Sequence, residues 1–225
     1  MVEEFIDALE RHFVAHADPT RAEPMANYMR DQFPFFGIGA QDRRTIFTAV
    51  AAEYPLPEDV AEVADLVDGL LARAEREWHY SAVGVLRAQR RRLNGHYWDC
   101  VHTVATTHPW WDTIDELAKH VAGRIVSNHP EQVAAMDRWV QSDDMWVARV
   151  ALLHQLGFKS ATDSDRLFRY CELRADETDF FYRKAIGWAL RQYGYVDPDA
   201  VRAFVARNEQ QLSTLTQREA LKNIG

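Results

Sequence analysis

The sequence of 225 residues predicts an all-α protein. Apolar residues recur with helical spacing, as at Phe5, Leu9 and Phe13, and runs of alternating β-branched residues bounded by tight-turn dipeptides are absent. Short breaks rich in Pro, Gly or Asp separate the helical stretches, for example the Pro-Leu-Pro run at 55–57. About twelve helices with short connections are therefore expected.

Composition is that of an ordinary globular protein, with 47% hydrophobic and 27% charged residues. The two cysteines, Cys100 and Cys171, offer neither a metal-binding spacing nor a disulfide framework, which predicts a reducing, cytoplasmic location. No apolar run approaches the roughly 20 residues of a membrane span. The amphipathic, acidic N-terminus is unlike a secretory signal, so no membrane association is expected.

The net charge is -8, from 26 basic and 34 acidic residues. Binding to phosphates needs clustered Lys and Arg, so this balance counts mildly against nucleic acid as a partner. A local basic face can coexist with an acidic remainder, however, and the distribution of the cations decides.

A weak internal repeat runs along the chain. Four aromatic residues near helix starts, separated by 33, 35 and 35 residues, mark its register: Trp78, Trp111, Trp146 and Phe181. The same spacing reaches two further helix starts, near Gln41 and at Thr216. This period is typical of paired-helix solenoids such as HEAT repeats. The sequence thus predicts one HEAT-like domain over residues 1–225 with a concave groove; a non-repetitive helical bundle is the alternative.

The stretch HPWWDTIDELAKH at 108–120 contains two predicted helix faces. The apolar row with helical spacing comprises Trp110, Ile114, Leu117, Val121 and Ile125. Trp111 and Asp115 are four residues apart and share a different face, which is predicted to point outward. An exposed Asp in a first helical turn is most often only solvated, so periodicity alone leaves the role of Asp115 open.

A second outward face surrounds Trp188, which has Lys184 four residues before it and Arg191 three residues after it. An indole between two cations favours a ligand-facing position over a core position, although a packing role is the alternative. Further basic residues occur in the register helices: Arg43, Arg44, Arg87, Arg90, Arg91, Arg92, Arg149, Arg218 and Lys222. A basic groove on an acidic protein is predicted, while a solvated face or surface salt bridges are the plainer reading.

Neither a metal nor a cofactor is expected. The nine histidines form no HExxH pattern, and His102 and His108 are six residues apart and share no helix face. No Gly-rich phosphate-binding loop is present, because GIGA at 37–40 is too short.

These stretches resemble the AlkD-type DNA alkylation-repair glycosylases, which are built from HEAT-like repeats. The resemblance covers almost the whole chain. Its most specific parts are WWDTID at 110–115 and KAIGWALRQY at 184–193, supported by REWHYSA and DDMWVARVALL. One departure lies after Phe36: some relatives have a polar side chain there that reaches the DNA opposite the lesion, whereas this chain has Gly39 and Ala40.

The resemblance implies a function and a set of site residues. The activity is hydrolysis of the N-glycosidic bond of N3- or N7-alkylated purines in duplex DNA, without flipping of the base, by a monomer that needs no cofactor and no protein partner. The residues matching the family's catalytic positions are Trp111, Asp115 and Trp188. Arg149 matches its DNA-contacting arginine. Together with the basic faces above, the predicted DNA-binding residues are Arg149, Lys184, Arg191, Arg43 and Arg44.

An alkylated purine is cationic and already a good leaving group, so one carboxylate at Asp115 is expected to suffice. Its role would be to stabilise positive charge on the deoxyribose. The alternative is a HEAT-like scaffold that binds DNA or protein without chemistry, since solenoids are commonly scaffolds. A scaffold has no need to keep Trp111, Asp115 and Trp188 together.

Overall fold

The computed structural model of the chain describes residues 2–224, and secondary structure in this range is helical, without strands. The α-helices are α1 (Val2–Ala15), α2 (Pro19–Tyr28), α3 (Ala40–Glu53), α4 (Val60–Leu71), α5 (Arg76–Ala88), α6 (Trp98–Thr106), α7 (Trp111–Leu117), α8 (Gly123–Asn128), α9 (Val133–Trp139), α10 (Met145–Leu153), α11 (Ser164–Leu173), α12 (Phe180–Gly194), α13 (Pro198–Arg207) and α14 (Thr214–Leu221). A π-helical segment, Ala118–Ala122, joins α7 to α8. Short 3-10 turns occupy Gly95–Tyr97, Pro130–Gln132 and Lys159–Ala161. The predicted all-α class is confirmed.

The chain divides into two compact units, one ending at Arg92 and the other beginning at Leu93. The first unit contains α1 to α5, and the second contains α6 to α14. The single HEAT-like domain expected over residues 1–225, and its concave groove, stay predictions.

Aspartates begin many of the helices. At α10, for example, the Asp144 carboxylate accepts hydrogen bonds from the backbone N–H groups of Trp146 (2.8 Å) and Val147 (3.2 Å). The same kind of cap precedes other helices, at Asp18, Asp59, Asp163, Asp179 and Asp197. Each cap contributes about 1 kcal/mol by satisfying N–H groups that have no partner within the helix. Part of the acidic excess of the chain is therefore used in starting helices.

The register helices lie side by side within each unit. In the first unit α3 packs on α5, and in the second α7 packs on α10, α10 on α12 and α12 on α14. Each of these helices begins within two residues of a point predicted from the repeat. The spacing of about 35 residues therefore does mark a helical repeat, in which each register helix buries a face on the next one.

The predicted apolar row of the helix beginning at α7 is buried with one exception. Ile114, Leu117, Val121 and Ile125 are inaccessible to solvent. Trp110 is only half-buried, so its predicted place in that row is wrong. Its backbone is extended (φ −156°, ψ 159°) because the helix begins one residue later, and its side chain therefore does not follow the helical rows.

No helix within residues 2–224 is both long and apolar enough to cross a membrane. Cys100 and Cys171 are both buried thiols without a disulfide.

Candidate active site

The candidate site begins at the N-terminal turn of α7. Trp111 is the first residue of this helix, and Asp115 follows one turn later. Both side chains are half-buried, as expected for residues that share a face next to the core row. The second face described from the sequence is thus present in the folded helix.

Asp115 forms a bidentate ion pair with Arg149 of α10. Arg149 Nε donates to Asp115 Oδ1 over 2.8 Å, and Nη2 donates to Oδ2 over 3.0 Å. The Arg149 side chain is 5% exposed and that of Asp115 is 14% exposed. Fork-to-fork pairing fixes the plane of the carboxylate as well as its position. Both oxygens of Asp115 are bound by one partner, while a small part of the side chain stays open to solvent.

The third donor group of Arg149 points to α12. Arg149 Nη1 donates to the backbone carbonyl of Phe181 over 2.6 Å. The guanidinium on α10 therefore links the second turn of α7 to the first turn of α12. Sequence reasoning had predicted a DNA phosphate contact for Arg149, with a salt bridge as the alternative. The salt bridge is present, and it is buried; the phosphate contact stays a prediction.

Burial dominates the electrostatics of Asp115. Loss of solvent raises the pKa of its carboxyl above the ordinary value of an aspartate, and the nearby Asp112 and Glu116 raise it slightly further. The charge and hydrogen bonds of Arg149 act in the opposite direction and favour the ionised form. Arg149 is consequently the main group that opposes the rise in the pKa of Asp115.

The π-helical segment begins at Ala118, three residues after Asp115. Gly123, at its end, packs against the backbone of α10's C-terminus, so that a Cβ at this position would lie 2.1 Å from the carbonyl oxygen of His154. No side chain fits there, and Gly123 permits the close approach. π-turns within α-helices are frequent at functional sites. This one changes which side chains share a face in the part of the helix that follows Asp115.

Three aromatic rings cluster beside the Arg149 contact to α12. Trp110 lies 5.6 Å from Trp146 and 5.0 Å from Phe181 between ring centroids, and Trp146 lies 5.0 Å from Phe181. The indole N–H of Trp110 is buried without a hydrogen-bond partner. Two of the aromatic residues that mark the repeat, Trp146 and Phe181, belong to this cluster, and their third ring is that of Trp110, the neighbour of the register residue Trp111.

Trp188 lies on α12 between Lys184 and Arg191, and all three side chains are half-buried. Both cations are bound by one carboxylate that the sequence did not single out, that of Glu219 on α14. Lys184 Nζ lies 3.0 Å from Glu219 Oε1, and Arg191 Nη1 lies 2.7 Å from Oε2. The hydrogen bond from Lys184 lowers the pKa of Glu219. Lys184 and Arg191, both predicted to bind DNA, are therefore already paired with a carboxylate of the protein.

The remaining two predicted DNA-binding residues lie in the first unit, on α3. The Arg43 guanidinium stacks over the ring of Tyr80, 3.7 Å from its centroid, and Arg44 is exposed. The structure therefore brings Asp115 to Arg149, and Lys184 to Arg191, within the second unit. No group of three or more His, Cys, Asp or Glu side chains within residues 2–224 is arranged to hold a metal ion.

Fold and site together define a helical-repeat protein with a largely buried Asp115–Arg149 ion pair and with half-buried tryptophans on the helices that carry the predicted site residues. The family model for DNA alkylation repair enzymes matches residues 9–224, and the chain belongs to that family. A solved structure described as a predicted DNA alkylation repair enzyme from Enterococcus faecalis is similar, with a TM-score of 0.84 and 28% sequence identity. The match covers 92% of this chain and 96% of that one. No curated protein matches the chain.

Proposed function

We propose that this protein is a DNA glycosylase that hydrolyses the N-glycosidic bond of cationic N3- or N7-alkylated purines in duplex DNA. The observation that carries the proposal is the Asp115–Arg149 pair: a carboxylate bound through both oxygens by one cation, on a side chain that is 14% exposed. Membership of the DNA alkylation repair enzyme family supports DNA as the partner.

The chemistry needs little from the protein because the substrate base is already positively charged. When the bond between C1′ and the base nitrogen breaks, both electrons leave with the base, which becomes neutral. Positive charge then develops on the deoxyribose, and water attacks C1′. A fixed carboxylate stabilises that charge and orients the water, whose proton passes to solvent. Asp115 is assigned this role, and no general acid is required for the leaving base.

The single carboxylate distinguishes this site from ordinary glycoside hydrolysis, which uses two. There, one acid protonates a poor leaving group, a step that alkylation of the purine makes unnecessary. Trp111 and Trp188 are assigned to the deoxyribose, since indole faces attract nearby positive charge. A reaction at the sugar does not need a pocket for the base, so extrusion of the base from the helix is not part of the proposal.

Arg149 is a positioning residue in this scheme. Its donors hold both Asp115 oxygens, and its bond to the Phe181 carbonyl fixes the guanidinium relative to α12. Because a buried carboxylate without this partner would tend to be protonated, Arg149 sets the charge state as well as the orientation of Asp115. Contacts of Lys184, Arg191, Arg43 and Arg44 with DNA phosphates belong to the proposal, as does activity as a monomer.

The decisive experiment measures release of 7-methylguanine from methylated duplex DNA by the wild-type protein and by Asp115→Asn. Loss of one electrostatic stabiliser is expected to reduce the single-turnover rate by about 100- to 1000-fold. Asp165→Asn, at an exposed position in the first turn of α11, is the matched control and is expected to keep the wild-type rate. Full activity of Asp115→Asn would overturn the mechanism. Duplex binding by the wild type without any base release would indicate a scaffold.

A further inference from the structure

The acidic residue on α14 that binds the cationic face of α12 has no part in the chemistry proposed above. Glu219 uses one carboxylate oxygen for Lys184 (3.0 Å) and the other for Arg191 (2.7 Å). Lys184 and Arg191 are seven residues apart, so they lie roughly 10 Å apart along the helix axis, on either side of Trp188. One carboxylate therefore bridges the two cations that flank this indole.

The position of Glu219 is a consequence of close helix packing. A Cβ at Gly187 would lie 2.6 Å from the Cβ of Glu219, so the absence of a side chain at Gly187 lets α14 approach α12. The Glu219 side chain is 12% exposed, against 34% for Lys184 and 22% for Arg191. The carboxylate is thus less accessible than the cations that it binds, and solvent ions screen this cluster less than they screen an exposed pair.

The net positive charge of this cluster is smaller than the sequence suggested. Two cations and one carboxylate leave a net charge of about +1 where Lys184 and Arg191 alone would give +2. Both cations nevertheless keep unused N–H donors, since an ammonium has three and a guanidinium five. They can still reach phosphates, but with a reduced field.

We propose that Glu219 is an internal counter-ion that competes with DNA phosphates for Lys184 and Arg191 and so limits how tightly the protein holds duplex DNA. The inference rests on the proposed function. Phosphate attraction strengthens binding to damaged and undamaged duplex alike, and unrestrained attraction would slow release of the product. Glu219 weakens this part of the binding and leaves the Asp115–Arg149 pair unaltered.

The test compares wild type, Glu219→Gln and the matched control Glu209→Gln. Glu209 is exposed after α13, so its variant removes the same charge from the chain at a different place. Affinity for undamaged duplex is measured across a range of salt concentrations. Glu219→Gln is expected to bind about tenfold more tightly at low salt, with a slope of log K against log salt steeper by up to about 0.9. Glu209→Gln is expected to keep the wild-type slope.

A double-mutant cycle of Lys184 and Glu219 measures the coupling between these residues in duplex affinity. No such coupling is expected if Glu219 only maintains the local structure. Lys184→Met is expected to weaken binding by about twofold when Glu219 is present, because the cation is then largely neutralised, and by about tenfold in the Glu219→Gln background. Dissociation of Glu219→Gln from cleaved product is expected to be slower, so its multiple-turnover rate falls below its single-turnover rate.

Equal or weaker binding by Glu219→Gln, with an unchanged salt slope, would overturn the proposal and assign Glu219 to holding the cations in place. If Glu219→Gln fails to fold, judged by helical circular dichroism, Glu219→Asp replaces it. Its carboxylate is one methylene shorter and cannot bridge both cations, so a smaller change in the same direction is expected. A wild-type protein that releases no base and binds no duplex would instead contradict the proposed function.

Discussion

Each unit contains a largely buried carboxylate, Glu77 in the first and Asp115 in the second, and the two differ in how far they are open to solvent. Glu77 of α5 is inaccessible to solvent, and its oxygens accept hydrogen bonds from three consecutive backbone N–H groups, those of Phe36 (3.1 Å), Gly37 (3.0 Å) and Ile38 (3.0 Å). Asp115 receives its hydrogen bonds from Arg149 alone and keeps some exposed surface.

Burial raises the pKa of both carboxyls, and hydrogen bonds oppose that shift in both. The difference lies in the partners. Three amides of one loop surround Glu77 and exclude any ligand, so this carboxylate fixes the loop that leads into α3. A single guanidinium holds Asp115, and 14% of the Asp115 side chain stays exposed, which the proposed function assigns to contact with the substrate. Burial and a shifted pKa therefore do not identify a functional acid without access.

The largest expected effect comes from removing the partner of Asp115. Arg149→Met leaves a largely buried carboxylate without its cation and also removes the donor to the Phe181 carbonyl, which is expected to lower the free energy of unfolding by about 3 to 5 kcal/mol. Urea unfolding measures this loss, with Arg138→Met on the exposed face of α9 as control. Adding Asp115→Asn should recover part of the stability; a double variant no more stable than the single one would show that the ion pair is not the cause.

The corresponding change at Glu77 is expected to affect stability and local order. Glu77→Gln replaces an acceptor oxygen by an NH₂ group, so at least one loop N–H faces a donor, at a cost of about 2 to 3 kcal/mol. Hydrogen exchange at the amides of Gly37 and Ile38 is expected to accelerate. Glu53→Gln, exposed at the end of α3, is the control. Unchanged exchange at these amides would mean that Glu77 does not hold the loop.

The pH dependence of base release tests the charge state of Asp115. In the proposed mechanism the ionised carboxylate is the active form. Because burial raises the pKa of Asp115, activity is expected above that pKa and is expected to fall as the pH drops through it. Below the pKa the single-turnover rate is expected to fall about tenfold per pH unit, with a midpoint above the ordinary aspartate value. Removal of Arg149 should move the midpoint upward. A rate independent of pH down to the ordinary value would rule out this assignment.

The smallest expected effects come from the indoles. Trp111→Phe and Trp188→Phe each retain an aromatic face with a weaker attraction for positive charge, so base release is expected to slow by about two- to fivefold. Trp139→Phe, in contact with Trp98 elsewhere in the second unit, should leave the rate unchanged. Equal slowing in all three variants would indicate a general loss of packing.

Local patterns accounted for much of the fold. Helical spacing predicted the all-α class and the shared helix face of Trp111 and Asp115, and the aromatic repeat predicted the starts of the register helices. The predicted outward direction of that face is only partly seen, because Asp115 is largely buried against Arg149. Trp110 was misplaced because the helix boundary falls one residue later than the apolar row suggests. Such boundaries depend on capping and on contacts with neighbouring helices, which periodicity does not contain.

The sequence by itself determined the helices and their repeat, because these depend on spacing and on residues that begin helices. It also supplied the resemblance from which the catalytic residues were inferred. Only the tertiary structure decided the partners of the charges. Arg149 and Asp115 are 34 residues apart, close to the repeat spacing of about 35 residues, and Glu219 reaches Lys184 from another helix. Such pairs form only when helices pack together, so helical spacing does not predict them. As a result, three cations that the sequence predicted to face DNA, Arg149, Lys184 and Arg191, are instead paired with carboxylates of the protein.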